Sequence, residues 1–353
     1  MTSWNIELVD SLDPYLAELW SAPEIPPTSI WQFAGPFQAW CEYISPQLRE
    51  RPRYAVAVDN RGNTLLLPLL VRNLGVLPLV SISAIGGATQ CDYQDPIVLC
   101  AGSSPPDLDA LWRQLEDAVR AQMRVLEFGV YRLTAEFAPS FALPGGHSHA
   151  IVCGDAPSLD AFLRSRSKKL RTAMERQLRK GRAENGLRLH RVVNQADIAP
   201  SVAQLADAHF ARFQRTFVDR SSLVAYWTAL AEWAHEHGVL HLSELHLGGR
   251  AVHWHLGFVH NRTLLWYKLG LDPSAARWSP GSLHLALLVE EAITGELDRI
   301  DLGFGDEPYK ERWANSFVPL FTVHQAARGI APARHAAKFG RRASMSVRRR
   351  LGR

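Results

Sequence analysis

Residues 263–313 read TLLWYKLGLDPSAARWSPGSLHLALLVEEAITGELDRIDLGFGDEPYKERW. TLLWYKLGL has the aromatic and branched composition of a strand. It leads into a loop holding Ser279, Pro280 and Gly281, and LHLALLVEEAIT then reads as a helix, apolar on most sides and so buried against a sheet. RIDLGF is a second strand, running straight into Gly305-Asp306-Glu307-Pro308-Tyr309-Lys310. Strand, turn, helix, strand suits an anionic ligand. The turn frees backbone N–H groups at a helix start, where the macrodipole favours negative charge. Trp278, Ser279, Pro280, Gly281 and Ser282 are therefore candidate donor-binding residues, together with Tyr267 and Lys268 on the preceding strand. Gly303 and Gly305 let a ligand or another backbone approach closely.

Upstream, VLHLSELHL, RAVHWHLGFVH and TLLWYKLGL are joined by Gly248-Gly249 and Asn261-Arg262, a meander with two short hairpin turns. Strand periodicity puts Val252, Trp254, Leu256 and Phe258 on one face of the middle strand and His253 and His255 on the other. The apolar set is core, so the histidines face the opposite layer, a cleft or solvent. A long helical region covers about 201–217 and 223–237. Before it, Ser158 and Ser167 are placed to cap two helices. In the second, SKKLRTAMERQLRKG, Leu170, Ala173, Met174 and Leu178 form an apolar stripe, basic residues cover the rest, and Gly186 ends it.

The first half shows aromatics near helical spacing (Trp31, Phe33, Phe37, Trp40), a core pattern. Two apolar runs flank Asp59-Asn60-Arg61-Gly62-Asn63 and predict a hairpin, with Pro68 implying an edge or bulged second strand. After Gly86-Gly87 a polar loop carries Asp92, Tyr93 and Asp95; a strand at 97–99, a helix at about 108–122 and a strand at 124–128 follow. Asp92 and Tyr93 are candidates to contact substrate. Turn-rich sequence at Pro144-Gly145-Gly146 closes this unit. The expected division is 1–155, 156–328, and a basic, flexible tail at 329–353.

At 353 residues, two domains of middling size are the natural expectation. There is no run of eighteen apolar residues for a transmembrane helix, and the acid-bearing first residues do not read as a secretory signal. The four cysteines form no CxxC pair, and the fourteen histidines include no HExxH, so reduced thiols, a cytoplasmic setting and no metal are expected. Charge is uneven. Residues 164–182 hold nine Lys or Arg against one Glu, and 331–353 hold eight against no acid, leaving the remainder acidic. Such blocks attract polyanions such as phosphates, RNA, acidic carrier proteins or anionic lipid, or are simply solvated.

The stretches TLLLPLLVR, IGGATQCDYQDPIV, SKKLRTAMERQLRKG, LSELHLGGRAVHWHLGF, LDPSAARWSPGSLHLALLVEEAI and DLGFGDEPYKERWA together resemble the CelD/BcsL-like (acetyltransferase-like) branch of the GNAT superfamily, related to the FemABX aminoacyl transferases. The resemblance covers about residues 30–325. It implies an α/β (α+β) fold of tandem GNAT-like domains with a cleft between them, each a mostly antiparallel twisted sheet flanked by helices. RWSPGS stands where simpler GNAT enzymes carry a glycine-rich pyrophosphate loop. The implied co-substrate is a thioester, acyl-CoA or acyl-carrier protein, with aminoacyl-tRNA as the Fem-like alternative.

The implied reaction is direct attack of a small-molecule or peptide amine on that thioester or ester. It needs two positioned reactants, a proton acceptor and oxyanion stabilisation. His253 and His255 suit the base chemically, with Asp306 and Glu307 as rivals and Glu307 also a substrate contact. Tyr309 is placed to protonate a leaving thiolate, and Lys310 resembles the lysine that closes the same motif in Fem-type enzymes, where it faces substrate or developing negative charge. The bland reading of residues 306–310 is a structural turn with an ion pair. An N-acyltransferase, a tRNA-dependent aminoacyl transferase and a non-catalytic GNAT-like binding module all remain open. Helix 164–182 and tail 331–353 would meet an acidic carrier protein or tRNA. Trp227, Trp254, Trp266 and Trp278 line an acyl tunnel or, more simply, fill core.

Overall fold

The computed structural model describes residues 3–22, 25–74, 79–86, 91–154, 156–212, 218–295 and 297–326. The basic tail at 331–353, Gly87 and the last residues of the first expected helical stretch, 213–217, lie outside them.

In the first half, β1 (Trp4–Val9), α1 (Pro14–Ser21), α2 (Ala34–Tyr43) and α3 (Ser45–Leu48) precede β2 (Glu50–Asp59), β3 (Thr64–Asn73), β4 (Val80–Ala84), β5 (Ile97–Cys100), α4 (Leu108–Gln122), β6 (Val125–Leu133) and β7 (Leu143–Val152). The second half runs α5 (Leu159–Arg164), α6 (Lys168–Glu184), β8 (Arg188–Arg191), α7 (Gln195–Arg212), α8 (Arg220–Glu236), β9 (Leu240–Leu247), β10 (Arg250–His260) and β11 (Thr263–Leu271). A 3-10 turn (Pro273–Trp278), α9 (Pro280–Thr294), β12 (Arg299–Phe304), α10 (Pro308–Trp313) and β13 (Ser316–Ala326) complete it. Each quoted element of 263–313 is thus present. Ser158 and Ser167 accept hydrogen bonds from the Ala161 and Leu170 amides, as helix N-caps do.

All thirteen described strands join one sheet, in the order β1-β2-β3-β4-β6-β13-β7-β12-β11-β10-β9-β8, with β5 also on β3. The pattern repeats. β1 to β4 and β8 to β11 are antiparallel runs, and each ends on a strand that runs parallel to the next, β4 to β6 and β11 to β12. A helix on one sheet face makes each parallel crossover, as such connections require. The mixed α/β fold with a mostly antiparallel sheet is the one expected. Two strands cross the expected division near residue 155. β7 pairs with β12 and β13, and β13 pairs with β6.

Three cores follow from the alternation of the strands. α4 covers one side of β1 to β6 with Trp112, Leu115 and Phe128. α5, α6 and α9 cover the outer side of β9 to β12, burying Met174, Trp266, Leu288 and Trp313. α1, α2, α7 and α8 fill the space between the two arms of the sheet, where Trp40, Tyr226, Trp227, Leu256 and Phe258 are buried together. Among the described residues no helix is long and apolar enough to cross a membrane.

Two local expectations change. Pro68 is on an interior strand, not an edge: β3 pairs β5 through Thr64–Leu66 and β4 through Leu69–Asn73, and Pro68 sits in the gap where the partner changes. The missing proline N–H therefore costs no ladder bond on that side. In β10 the register slips between Ala251 and His253, so Val252 joins the α9-side core while Trp254, Leu256 and Phe258 pack between the arms. A bulge residue escapes strict alternation.

Candidate active site

The parallel pair β11–β12 holds register over only three rungs, Thr263↔Arg299, Leu264↔Ile300 and Leu265↔Asp301. Past Asp301 the strands part. Gly303 (φ 73°) and Gly305 (φ 130°) then turn the chain in conformations open to glycine. At the parting point, Asp301 is buried and takes three hydrogen bonds, from the Tyr93 hydroxyl on Oδ2, and from the Ser148 hydroxyl (2.6 Å) and the Gly303 amide (2.8 Å) on Oδ1. Burial raises its pKa, against those three bonds; burial and the Asp301 charge raise that of Tyr93 further.

Beside this pair, Asp92 accepts from the Phe304 amide (3.0 Å) and lies 3.6 Å from the Arg132 guanidinium. Arg132 also donates to the Cys91 carbonyl and stacks over Phe304. Burial pushes the Lys268 ammonium down to about 8, with Asp92 pulling the other way and Arg132 and Lys310 adding to the depression. Lys310 is buried, and its Nζ donates to the carbonyls of Gly303 (3.2 Å) and Phe304 (2.8 Å) and pairs with Glu307 (3.0 Å). An ammonium has three N–H bonds, and here each has an acceptor. Lys310 thus clamps the turn after β12 instead of projecting at a substrate. Asp306 and Glu307 are exposed, and Tyr309 is half-buried with its hydroxyl pKa raised by burial and by Glu307.

His253 and His255, expected to meet residues 306–310 across a cleft, do not face one. The structure places both beneath α9, 3% and 0% exposed, in a hydrogen-bonded cluster. His253 Nδ1 lies 2.9 Å from His284 Nδ1, His284 Nε2 lies 2.9 Å from Ser243 Oγ, and both His253 and His255 stack on Trp266. His241 sits against His255 and 3.5 Å from Glu291. Burial depresses the pKa of all four histidines, that of His253 to about 3. Among the described residues no three His, Cys, Asp or Glu side chains group as a metal site. Tyr267 also points away, into the core between the arms against Trp31 and Phe258.

The loop before α9 ends at Ser279, so Pro280 and Gly281 belong to the helix. Ser279 is left-handed (φ 49°), Pro280 is the first helical residue, and Ser282 and Leu283 amides return to the Ser279 carbonyl. Gly281 lies against His253, whose Nε2 would be 3.3 Å from an added Cβ. Trp278 carries the Lys180 ammonium over its ring at 5.3 Å, and Arg182 pairs with Glu290 of α9 at 2.6 Å. The basic helix therefore lies alongside the loop before α9.

On the side between the arms, a cavity of about 480 Å³ opens over the Tyr93–Asp301 pair. Phe258, Leu265, Val318 and Pro319 give it apolar walls; Asp95, Glu136, His260 and Arg299 add polar groups. Asp301, Ser148, Arg132 and Glu136 were not singled out from the sequence. Asp301 had one signal, an acid at the middle of the otherwise apolar RIDLGF.

Residues 168–311 match the family model of the acetyltransferase (GNAT) domain. The second half is a GNAT domain. It makes the chain an acyltransferase by class. The GNAT domain's relationship to the rest of the chain is visible in solved structures. FemX superposes with a TM-score of 0.57 at 10% identity, over 90% of this chain and 96% of FemX. L-PGS from Bacillus licheniformis gives 0.50 at 11% identity, over 90% and 94%. A conserved protein of unknown function from Bacteroides thetaiotaomicron gives 0.50 at 12%, over 90% and 99%. At these identities the likeness is one of fold, and it spans both halves. No curated protein sequence matches the chain.

Proposed function

We propose that the chain is an N-acyltransferase that moves an acyl group from a thioester, carried on CoA or on an acyl-carrier protein, to an amine. The carrying observation is the position of Tyr93 and Asp301. They lie where β11 and β12 part, between the cations Arg132 and Lys268 beside Asp92 and a cavity lined by the carboxyl groups of Asp95, Glu136 and Asp301 against one guanidinium, Arg299. A polyanionic donor suits the first side and a cationic amine the second.

The donor's acyl arm would lie between the parted strands, its phosphates toward Trp278–Ser282 and the exposed Lys168, Lys169, Arg176 and Arg179 of α6. The edge of β11 past Leu265, where its pairing with β12 ends, would offer N–H groups to the thioester oxygen. The amine nitrogen attacks the thioester carbon, a C–N bond forms, and the C–S bond breaks. The amine proton leaves toward the Tyr93–Asp301 pair, and the departing thiolate takes a proton, with Tyr309 the nearest candidate on α10. His253 and His255 support Trp266 from beneath instead of touching substrate.

An aminoacyl-tRNA donor is the second reading, favoured by the fold likeness to FemX and by the basic helix beside the donor loop. A cytoplasmic setting fits either donor. Mass spectrometry of the purified chain, followed by acyl-transfer assays with the donor found, separates the two. Co-purified CoA or carrier thioesters with amine-dependent thiol release support the first. RNase-sensitive charged tRNA with no thioester turnover overturns it in favour of the second.

A further inference from the structure

One carboxyl group in the cavity has unused bonding capacity. Asp95 is 6% exposed. Its Oδ1 accepts from the Thr134 amide at 2.7 Å, and its Oδ2 is buried with no hydrogen-bond partner among the described residues. A buried polar atom left unpaired is costly unless something supplies its partner, and such atoms in a cavity mark where a ligand group belongs. Among the described residues the other two buried aspartates are saturated: Asp301 takes three donors, and Asp59 takes the Arg61 and Asn63 amides and the Asn63 side chain. Glu136 stands exposed on the same cavity wall, two residues beyond Thr134.

We propose that Asp95 is the receptor for a primary ammonium group in this cavity, with Glu136 drawing the cation to the mouth. The acceptor is then an amine that enters charged, with a short aliphatic arm against Phe258, Leu265 and Val318. An ammonium offers the donor that Oδ2 lacks, and a charge-assisted bond in a low-dielectric site discriminates against an isosteric alcohol. Burial holds the Asp95 carboxyl up near 7, against the Thr134 bonds and with Glu136 adding to the rise, so an arriving cation would favour its ionised form. The inference rests on the cavity being the acceptor side of the transferase proposed above, and its test is independent of turnover.

The full chain, without donor, is titrated with n-butylamine, n-butanol and butyrate at pH 7.5 and followed by ligand-observed NMR. Butylammonium should bind, and the alcohol and the acid should not. Asp95→Asn should weaken the amine about tenfold or more, and Glu136→Gln less and only at low salt. Equal binding of alcohol and amine by the unaltered chain overturns the proposal without recourse to any variant. So does an Asp95→Asn protein that folds and binds the amine as before. If the amine binds and no donor is ever turned over, the transferase reading fails and this one stands. If acyl transfer proceeds with an unchanged amine KM in Asp95→Asn, this one alone fails.

Discussion

The Tyr93 hydroxyl donates to Oδ2 of Asp301 across 208 residues of chain, at the last rung that β11 and β12 share. One partner comes from a loop of the first half and the other from a strand of the GNAT domain. A substrate bound there would be held by both halves at once.

Asp301→Asn and Tyr93→Phe each break this contact while keeping shape. If the pair positions the amine, a displacement of about 1 Å should cost on the order of a hundredfold in kcat. Thermal unfolding measured alongside should move far less than for a core truncation. Full activity in both variants would remove the pair from the chemistry.

Lys310→Met removes three bonds that hold the turn after β12, two of them to carbonyls. Leaving such groups unpaired costs about 1–3 kcal/mol. A lowered denaturation midpoint and a loss of turnover should therefore appear together. Glu307→Gln, at an exposed partner, should do much less, since half-exposed ion pairs are weak. A stable but inactive Lys310→Met protein would return the lysine to direct substrate contact.

Acid should destabilise the fold through His241, His253, His255 and His284. Their folded pKa values lie below the unfolded value of about 6.5, so the unfolded chain takes up protons first as pH falls. The stability from keeping them neutral is whole above about pH 7 and declines from there downward, by up to about 1.4 kcal/mol per pH unit for each group. Asp95, raised to about 7 by burial, acts with opposite sign over the same window and offsets part of the loss. The unfolding free energy from urea titrations should therefore fall between pH 7.5 and 5.5. A flat profile would mean that the cluster admits protons. The His253 and His284 Nδ1 contact argues otherwise, because it needs one ring nitrogen without hydrogen.

Gly257→Ala should be severe. The new methyl would lie 2.3 Å from the Leu265 carbonyl and 2.4 Å from the His255 ring. Backbone is on one side and a stacked imidazole on the other, so relief must come from shifting β11 itself. A loss at the upper end of the 1–3 kcal/mol typical of overpacking is expected, read by chemical denaturation.

Charge reversal at Arg176 and Arg179, both exposed on α6, should raise the KM for a polyanionic donor and leave kcat and thermal stability unchanged. The effect should shrink above about 0.5 M salt, where screening is short-ranged. A salt-independent effect, or none at 50 mM salt, would separate this helix from donor binding.

The strand–turn–helix–strand unit was legible because its periods are strong and its breaks are Pro and Gly. The hairpins at Gly62 and at Asn261-Arg262 were legible for the same reason. The histidines misled because alternation says which residues share a face, not what lies over that face, and α9 lies over this one. Asp301, Ser148 and Tyr93 meet through strand exchange, which no local pattern encodes. Lys310 was legible as important. That it is fully occupied by Glu307 and two carbonyls is a fact of turn geometry.

β13 lies between β6 and β7, so the first half's sheet acquires its innermost strand from the last described segment of the chain. During synthesis β6 must wait with an open edge for nearly two hundred residues. Contacts of such sequence separation form slowly, and an unpaired strand edge in the interval invites association with other chains. A nascent chain halted before residue 316 would thus be the species most in need of chaperone cover.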